Sequence, residues 1–257
     1  MSEVEWWRLR AAEIRERSRP ETVVIVPVAS TEQHGPHLTT EVDCALVGEI
    51  ARRAARIAEA QCPVLVTPVL WTGLAEHHMS LGGTITLDFA TFSALVKGVC
   101  RSLVRQGFGR ILLLNGHGGN IAALTVIVNE IAPELDSPIA TATYWLLAAK
   151  EFGAILEDQP NVRHACEAET SMMLAIRPER VDMLAAAENL GPTGREVADV
   201  IGSEAAHRWR SFEARTSHGV IGVPRRASAA KGEALLQAAA EAVSRCVIAR
   251  EFWDLEA

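Results

Sequence analysis

The feature that most narrows what this chain can fold into is a recurring order. A short apolar run is followed by a polar loop marked by Gly or Pro, and then by apolar residues at helical spacing. Thr22 to Ala29 (TVVIVPVA) is β-branched and almost wholly apolar, the pattern of a strand buried on both faces. A loop runs on through Thr40, and residues 44–58 then place Leu46, Ile50, Ala54 and Ile57 on one helical face. Pro63 to Leu70 (PVLVTPVL) repeats the strand, with Pro68 marking its end. After a loop rich in Gly, Glu and His, Asp88 is placed to cap a helix carrying Phe92, Leu95, Val96, Val99 and Leu103. Arg110 to Leu114 (RILLL) is a third strand. It leads through a Gly-rich turn at Asn115 to Asn120 into a helix marked by Ile121, Leu124, Ile127, Val128 and Ile131. Ser137 to Leu146 is expected to form a fourth strand, residues 3–18 an opening amphipathic helix, and residues 230–250 a closing one. Residues 187–216, with Gly191, Pro192 and Gly194, read as an irregular excursion over the surface.

Strands alternating with helices imply an α/β fold with a mostly parallel central sheet covered on both faces. The 257 residues contain no internal repeat, low-complexity tract or evident linker, so one domain over 1–257 is the simplest account. With 25 basic and 32 acidic residues the formal charge is −7, which gives no electrostatic reason to bind nucleic acid or an anionic membrane. Cys44, Cys62, Cys100, Cys166 and Cys246 are scattered and unpaired in spacing, which argues against a disulfide framework and a thiolate zinc site. A reducing cytoplasm is the expected compartment. The charged N-terminal stretch lacks the apolar core of a signal peptide, and no apolar run approaches the roughly 20 residues of a membrane span.

Open α/β sheets place their ligands in loops at the carboxyl ends of strands. Six of the eight histidines fall in four such segments, together with carboxylates, which is not how scattered surface histidines distribute. The first segment, STEQHGPHL, holds Glu32, His34 and His37, and Asp43 follows at the start of the next helix. Side chains two apart in extended backbone point the same way, so Glu32 and His34 can approach one centre, and Asp43 can bridge two cations through its two oxygens. The second segment offers Glu76, His77 and His78. The third, LLLNGHGGN, lets His117 project from a Gly-rich turn. The fourth, HACEAETSMML, puts His164, Glu167 and Glu169 within six residues. Carboxylates mixed with imidazoles suit Zn²⁺, Mn²⁺ or Fe²⁺. Five such donors exceed the needs of one structural zinc. They fit a pair of ions sharing a carboxylate, roughly 3.5–4 Å apart, a device that activates water and polarises a carbonyl.

These segments resemble the creatininase (creatinine amidohydrolase) family. The matching pieces are VPVASTEQHGPHL with Asp43, EHHMSLGGTITL, LLLNGHGGN and HACEAETSMMLAI, in the family's order, with HGVIGVPRRASAAKGEALL near the end. The resemblance implies a three-layer α/β/α sandwich, two divalent metal ions per subunit with Zn²⁺ the first choice, and a homo-oligomer, a hexamer favoured. By position, Glu32 and His34 are ligands on different metals, Asp43 bridges, and His117 is a further ligand. Creatininase proper carries a glutamate two residues after the histidine of the third motif, where this chain has Gly119. Glu167 is therefore expected as the fifth ligand, with Glu169 its rival and otherwise an orienting group of the catalytic set. His164 matches the family's catalytic histidine, a proton carrier to the leaving nitrogen or from the attacking water. Glu76 and His77 match the substrate-side pair. His78 has no assigned role and is expected to be exposed, and His37 is expected to be structural. The chain also has Leu81-Gly82-Gly83-Thr84 where the family commonly shows FPGT, and Gly222-Val223 in place of its usual GD.

The expected activity is hydrolysis of a C–N amide bond in a small, cyclic amide. Within the same fold the alternatives are a peptidase, a deformylase or a hydrolase of a cyclic sugar ketone. The alternative of another class is a metal-stabilised oligomeric module without catalysis.

Overall fold

The structure, a computed structural model, describes residues 2–157, 159–192 and 208–253. Four strands form one parallel sheet: β1 (Val23–Val28), β2 (Val64–Val66), β3 (Arg110–Asn115) and β4 (Ile139–Thr143), in the spatial order β2-β1-β3-β4. The helices are α1 (Ala11–Arg17), α2 (Val42–Ala58), α3 (Phe89–Arg105), α4 (Ile121–Leu135), α5 (Tyr144–Leu147), α6 (Ala149–Ile155), α7 (Glu167–Ile176), α8 (Met183–Glu188), α9 (Ala229–Ile248) and α10 (Arg250–Trp253).

Successive strand residues face opposite sides of a sheet, and here each side has its own core. Val23 and Ile25 of β1, with Leu112 and Leu114 of β3, pack under α2, α5, α6, α7 and α9. Val24, Val26 and Val28, with Ile111 and Leu113, pack under α3 and α4. This is why the strands are apolar at every position: the sheet is the middle layer of an α/β/α sandwich. Each such fully buried Val, Leu or Ile is worth roughly 1.5–3 kcal/mol. On α3, Phe92, Val96, Cys100 and Leu103 recur at helical spacing and are buried, and the Asp88 side chain accepts the Thr91 amide at 2.8 Å as an N-cap. The two largest helices of the other layer, α2 and α9, are joined at the surface by Arg53, which donates to Glu49 on its own helix and to Glu233 at 2.6 Å.

Three local expectations change. β2 is three residues long rather than eight, because Pro63 and Pro68 bracket it and neither has an N–H to give the ladder; only an isolated bridge, Val28 to Leu70, continues it. β4 stops at Thr143, and the chain turns at once into α5. The opening helix is split: Glu5 pairs with Val66 at the sheet edge, Trp6–Arg8 form one 3₁₀ turn, and α1 starts only after the Arg10 amide donates to Glu13 at 2.8 Å. Much of the expected excursion, residues 193–207, lies outside the described residues.

The register sets the site. Val28 pairs with Asn115 and Asn115 with Thr143, so three strands end level and their following loops emerge side by side. The chain leaves β1 toward β2 and then crosses back to β3, so the strand order reverses between β1 and β3. Glu32 follows one of those strands and His117 the other, which places both at the switch-point crevice of the sheet.

Candidate metal centre

Six side chains from five elements converge at this edge. Glu32 and His34 come from the loop after β1, Asp43 from the first turn of α2, His117 from the turn after β3, His164 from the loop before α7, and Glu169 from the first turn of α7. Both helical carboxylates sit where the helix dipole favours negative charge. His164 is held by two backbone hydrogen bonds with Ile221, at 3.3 and 2.8 Å. Glu169 Oε2 accepts the amide of Ala165 at 2.6 Å, a residue in the left-handed region at φ 51°; that sharp turn brings His164 and Glu169 to the same side.

Three groups of donors have ligand atoms within 4.8 Å of one another: Glu32, Asp43 and His117; His34, Asp43 and Glu169; and Glu32, His34 and His164. Asp43 is divided between the first two. Its Oδ2 lies 3.1 Å from His117 Nδ1 and its Oδ1 3.3 Å from His34 Nε2. Glu32 Oε2 is 3.0 Å from His117 Nδ1, and Glu169 Oε1 is 3.9 Å from His34 Nε2. These approaches are close but not aligned as hydrogen bonds. Both oxygens of Glu32, Asp43 Oδ2 and His34 Nε2 are buried without a hydrogen-bond partner. Buried polar atoms are normally satisfied, and four unsatisfied donors aimed at common points fit a cation-binding site. The rings are oriented from behind: His117 Nε2 faces the Leu74 carbonyl at 3.1 Å, and His34 Nδ1 the Glu32 carbonyl at 3.2 Å. Each carbonyl takes an N–H, which leaves Nδ1 of His117 and Nε2 of His34 toward the cluster.

The charges agree with this. Burial opposes a proton on His34, yet Asp43, Glu169 and Glu32 around it prevail and raise its ring to about 9. Burial likewise opposes charge on His117, but Glu32 and Asp43 lift it well above the usual imidazole range. Burial disfavours the Glu32 anion, while His117 and His78 hold it well below the usual carboxylate range. Burial pushes Glu169 up to about 7. His164, also buried, is held well below the usual range by burial and by the neighbouring His34 and His78 rings, so it is neutral at pH 7. Protons thus occupy His34 and His117, the places that divalent ions would take.

Glu167, expected as the fifth ligand, is in none of the three donor groups; Glu169, its rival, is in one. The Glu167 side chain is fully buried, but Lys231 Nζ from α9 donates to its Oε1 at 2.7 Å and the Glu157 amide donates to Oε2 at 3.2 Å. Glu167 is the first residue of α7, and the helical turn of 100° per residue sends Glu167 and Glu169 to different sides. Glu76 is exposed and does not line the cavity, whereas His77 does. His37 is buried, with Nε2 2.9 Å from Thr170 Oγ1. His78, expected to be exposed, is buried, with Nε2 3.1 Å from Glu32 Oε1.

The cluster opens into a small cavity of about 50 Å³. Trp145, Val162, Arg163 and Phe212 line it along with the polar groups. Phe212 stacks on His78 at 4.0 Å between ring centroids and meets His164 edge-on at 4.6 Å. Sequence reasoning did not single out Trp145, Arg163 or Phe212. Gln33 stood out among the polar residues after the first strand but was given no role. Phe212 lies in an irregular stretch without periodicity and gave no signal.

At Gly119 the backbone is too closely covered for a side chain. A Cβ there would overlap the Leu74 carbonyl oxygen and stand 2.5 Å from His117 Nε2. The loop carrying His77 and His78 lies directly on this backbone, so no glutamate fits.

A buried carboxylate–imidazole cluster at the carboxyl edge of a parallel sheet defines a metal-binding α/β enzyme. Comparison with known proteins narrows the class. The sequence model of the creatininase family, described as creatinine amidohydrolase, matches residues 7–247. The chain is 30% identical over 239 residues to the mycofactocin precursor peptide peptidase of Mycolicibacterium smegmatis, covering 90% of this chain and 85% of that one. It is 32% identical over 178 residues to the creatinine amidohydrolase of Pseudomonas putida, covering 63% and 66%. A crystal structure of creatininase superposes with a TM-score of 0.83 at 25% identity over 98% of this chain and 99% of that one; a zinc–zinc form of a mutant creatininase does so at 0.78, with the same identity and coverage. The chain belongs to the creatininase family. It is a creatininase-family amidohydrolase.

Proposed function

We propose that this amidohydrolase works with two divalent ions per subunit, zinc the first choice and Mn²⁺ or Fe²⁺ the alternatives, on a small cyclic amide. One ion would be held by Glu32, Asp43 and His117, the other by His34, Asp43 and Glu169. The observation that carries this reading is the division of Asp43 between two three-donor groups, one carboxylate oxygen to each. A bound pair supplies Lewis acidity, acidifying water and polarising a carbonyl.

The chain's own residues supply the rest. His164 Nε2 lies 2.8 Å from the Gln33 carbonyl and 3.0 Å from the Gln33 amide nitrogen; of the two partners the nearer carbonyl would take an Nε2 proton, which leaves Nδ1 unprotonated toward Glu32 Oε1, 3.6 Å away. Neutral and so placed, His164 Nδ1 accepts a proton from the attacking water and returns it to the leaving nitrogen. Phe212 and Trp145 form apolar walls that exclude bulk water, and His77, which burial lowers to about 3, stays neutral beside the substrate. The reading extends to one catalytic unit over residues 1–257, assembled as a homo-oligomer, a hexamer favoured, in the cytoplasm. Exposed Trp71, Met79, Ile85 and Phe89 offer apolar surface for assembly, and all five cysteines are free thiols. Among the described residues no helix is long and apolar enough to cross a membrane.

A second reading, a peptidase that trims a peptide, is supported by the likeness to a peptide peptidase over 90% of this chain. Metal analysis of the purified protein, followed by screening for amine or ammonia release from cyclic amides and short peptides, separates the two. Two ions per chain with turnover of cyclic amides supports the first. Turnover of peptides alone supports the second. One ion per chain refutes the two-ion arrangement.

A further inference from the structure

Gln33 sits between two candidate ligands in sequence, and its buried side chain reaches the rings of His78 and His164. His78 is buried as well. The Gly35 amide donates to Gln33 Oε1 at 2.9 Å, which fixes which end of the amide is oxygen. The amide nitrogen therefore faces His78, 2.8 Å from Nδ1. The far side of Oε1 is closed by Gly219, whose φ is +84° and where any Cβ would overlap that oxygen. A flipped amide would set its NH₂ against the Gly35 N–H, so the orientation is unambiguous.

The consequence for His78 follows from proton count. A neutral imidazole carries one N–H. An Nδ1 that accepts from the Gln33 amide has no proton, so the proton is on Nε2. That nitrogen faces Glu32 Oε1 at 3.1 Å, and Phe212, stacked on the ring, keeps it in plane. The ring thereby turns its N–H toward Glu32 Oε1, close to it though not aligned as a hydrogen bond, and is not a ligand itself. Among the described residues His78 belongs to none of the three donor groups.

We propose that Gln33 and His78 form a positioning pair: Gln33 sets the tautomer of His78, and the His78 Nε2–H, 3.1 Å from Oε1 of Glu32, attracts that oxygen electrostatically and so turns Oε2 to the ion shared with Asp43 and His117. The same amide nitrogen lies 3.0 Å from His164 Nε2, so one side chain touches both the ring that positions a ligand and the ring that moves the proton. The inference rests on the reading of Glu32 as a ligand. Groups that orient a metal ligand from behind are typically worth about 10–100-fold in metal affinity.

Two measurements test it separately. The first is nitrogen NMR of ¹⁵N-histidine-labelled, metal-free protein, with His78→Gln used to assign the His78 signals. The proposal expects a pyrrole-type Nε2 and a pyridine-type Nδ1 at His78, and loss of that fixed pattern in Gln33→Leu. A proton on Nδ1 in the wild type overturns it. The second is zinc affinity by chelator competition, with thermal unfolding of each variant as the control for folding. His78→Ala and Gln33→Leu should each weaken zinc about 10–100-fold. His78→Gln, whose amide nitrogen stands where Nε2 stood, should recover most of the loss. Unchanged affinity in both weakened variants overturns the proposal. If one of them fails to fold, the other and the NMR pattern still decide. If the wild type binds no zinc, the ligand reading of Glu32 fails while the tautomer measurement still judges the Gln33–His78 pair.

Discussion

Replacing Lys231 by Met should cost stability without costing metal. Lys231 Nζ donates to Glu167 Oε1 and to the Arg226 carbonyl, each at 2.7 Å, and also pairs with Glu157. The Glu167 side chain is 0% exposed and the Lys231 side chain 19%. Removing one partner of a buried pair typically costs about 3–5 kcal/mol, because the other charge stays behind uncompensated. Some water reaches Lys231, so the loss here should be smaller, about 2–3 kcal/mol. At roughly 2–4 °C per kcal/mol for a chain of this size, thermal unfolding should fall by about 4–12 °C. Glu167→Gln, which keeps shape and removes the charge, should also lower the unfolding temperature. Differential scanning calorimetry gives the shift, and elemental analysis gives the metal. Both variants should retain wild-type metal stoichiometry, since Glu167 serves to tie α7 to α9. If Glu167→Gln lost metal while its unfolding temperature stayed put, Glu167 would be a ligand and the geometry argued above would be wrong.

Glu169→Gln should do the reverse, retaining fewer metal ions per chain in elemental analysis while the fold persists by circular dichroism. Metal binding should release protons at pH 7. His34 in the metal-free protein is raised above its ordinary 6.5 to about 9, so it is protonated at neutrality and must give up that proton to a cation. By the same sign, its contribution to metal-free stability is full below about 6.5 and is lost as pH rises through about 9, while zinc affinity climbs over that window. Calorimetric titration of zinc in buffers of different ionisation heat should give a net release of at least one proton, and no buffer dependence would refute it. Gly119→Glu, which places a glutamate where creatininase proper has one, should destabilise rather than add a ligand, because its Cβ meets the Leu74 backbone; a variant with unchanged unfolding temperature and tighter zinc would contradict this. His164→Ala should lose turnover and keep its metal, whereas His117→Ala should lose both; equal metal loss in the two would make His164 a ligand.

The layered fold was legible because it rests on periodicity. The continuous apolar runs of β1 and β3 could only be strands covered on both faces, and Asp88 announced its helix by the chemistry of its cap. β2 and β4 were overextended because an apolar run does not reveal where a ladder loses its partners. The segments that hold the site were legible as well, since carboxylates and imidazoles gathered at strand ends have few other uses. Which atom faces which was not. Glu167 and Glu169 are two residues apart and chemically alike, and only the start of α7 decides that one meets Lys231 and the other His34. His78 looked like a surface residue because burial at a loop is set by what lies on top, here Phe212, more than a hundred positions away in the chain.

The claim on which all of this turns is that Asp43 lies between two cations. A crystal grown with zinc, with data collected on both sides of the zinc absorption edge, tests it directly. The account predicts two anomalous peaks roughly 3.5–4 Å apart, one against Glu32 and His117, the other against His34 and Glu169, with an Asp43 oxygen on each. A single peak, or a pair that leaves Asp43 out, would contradict it.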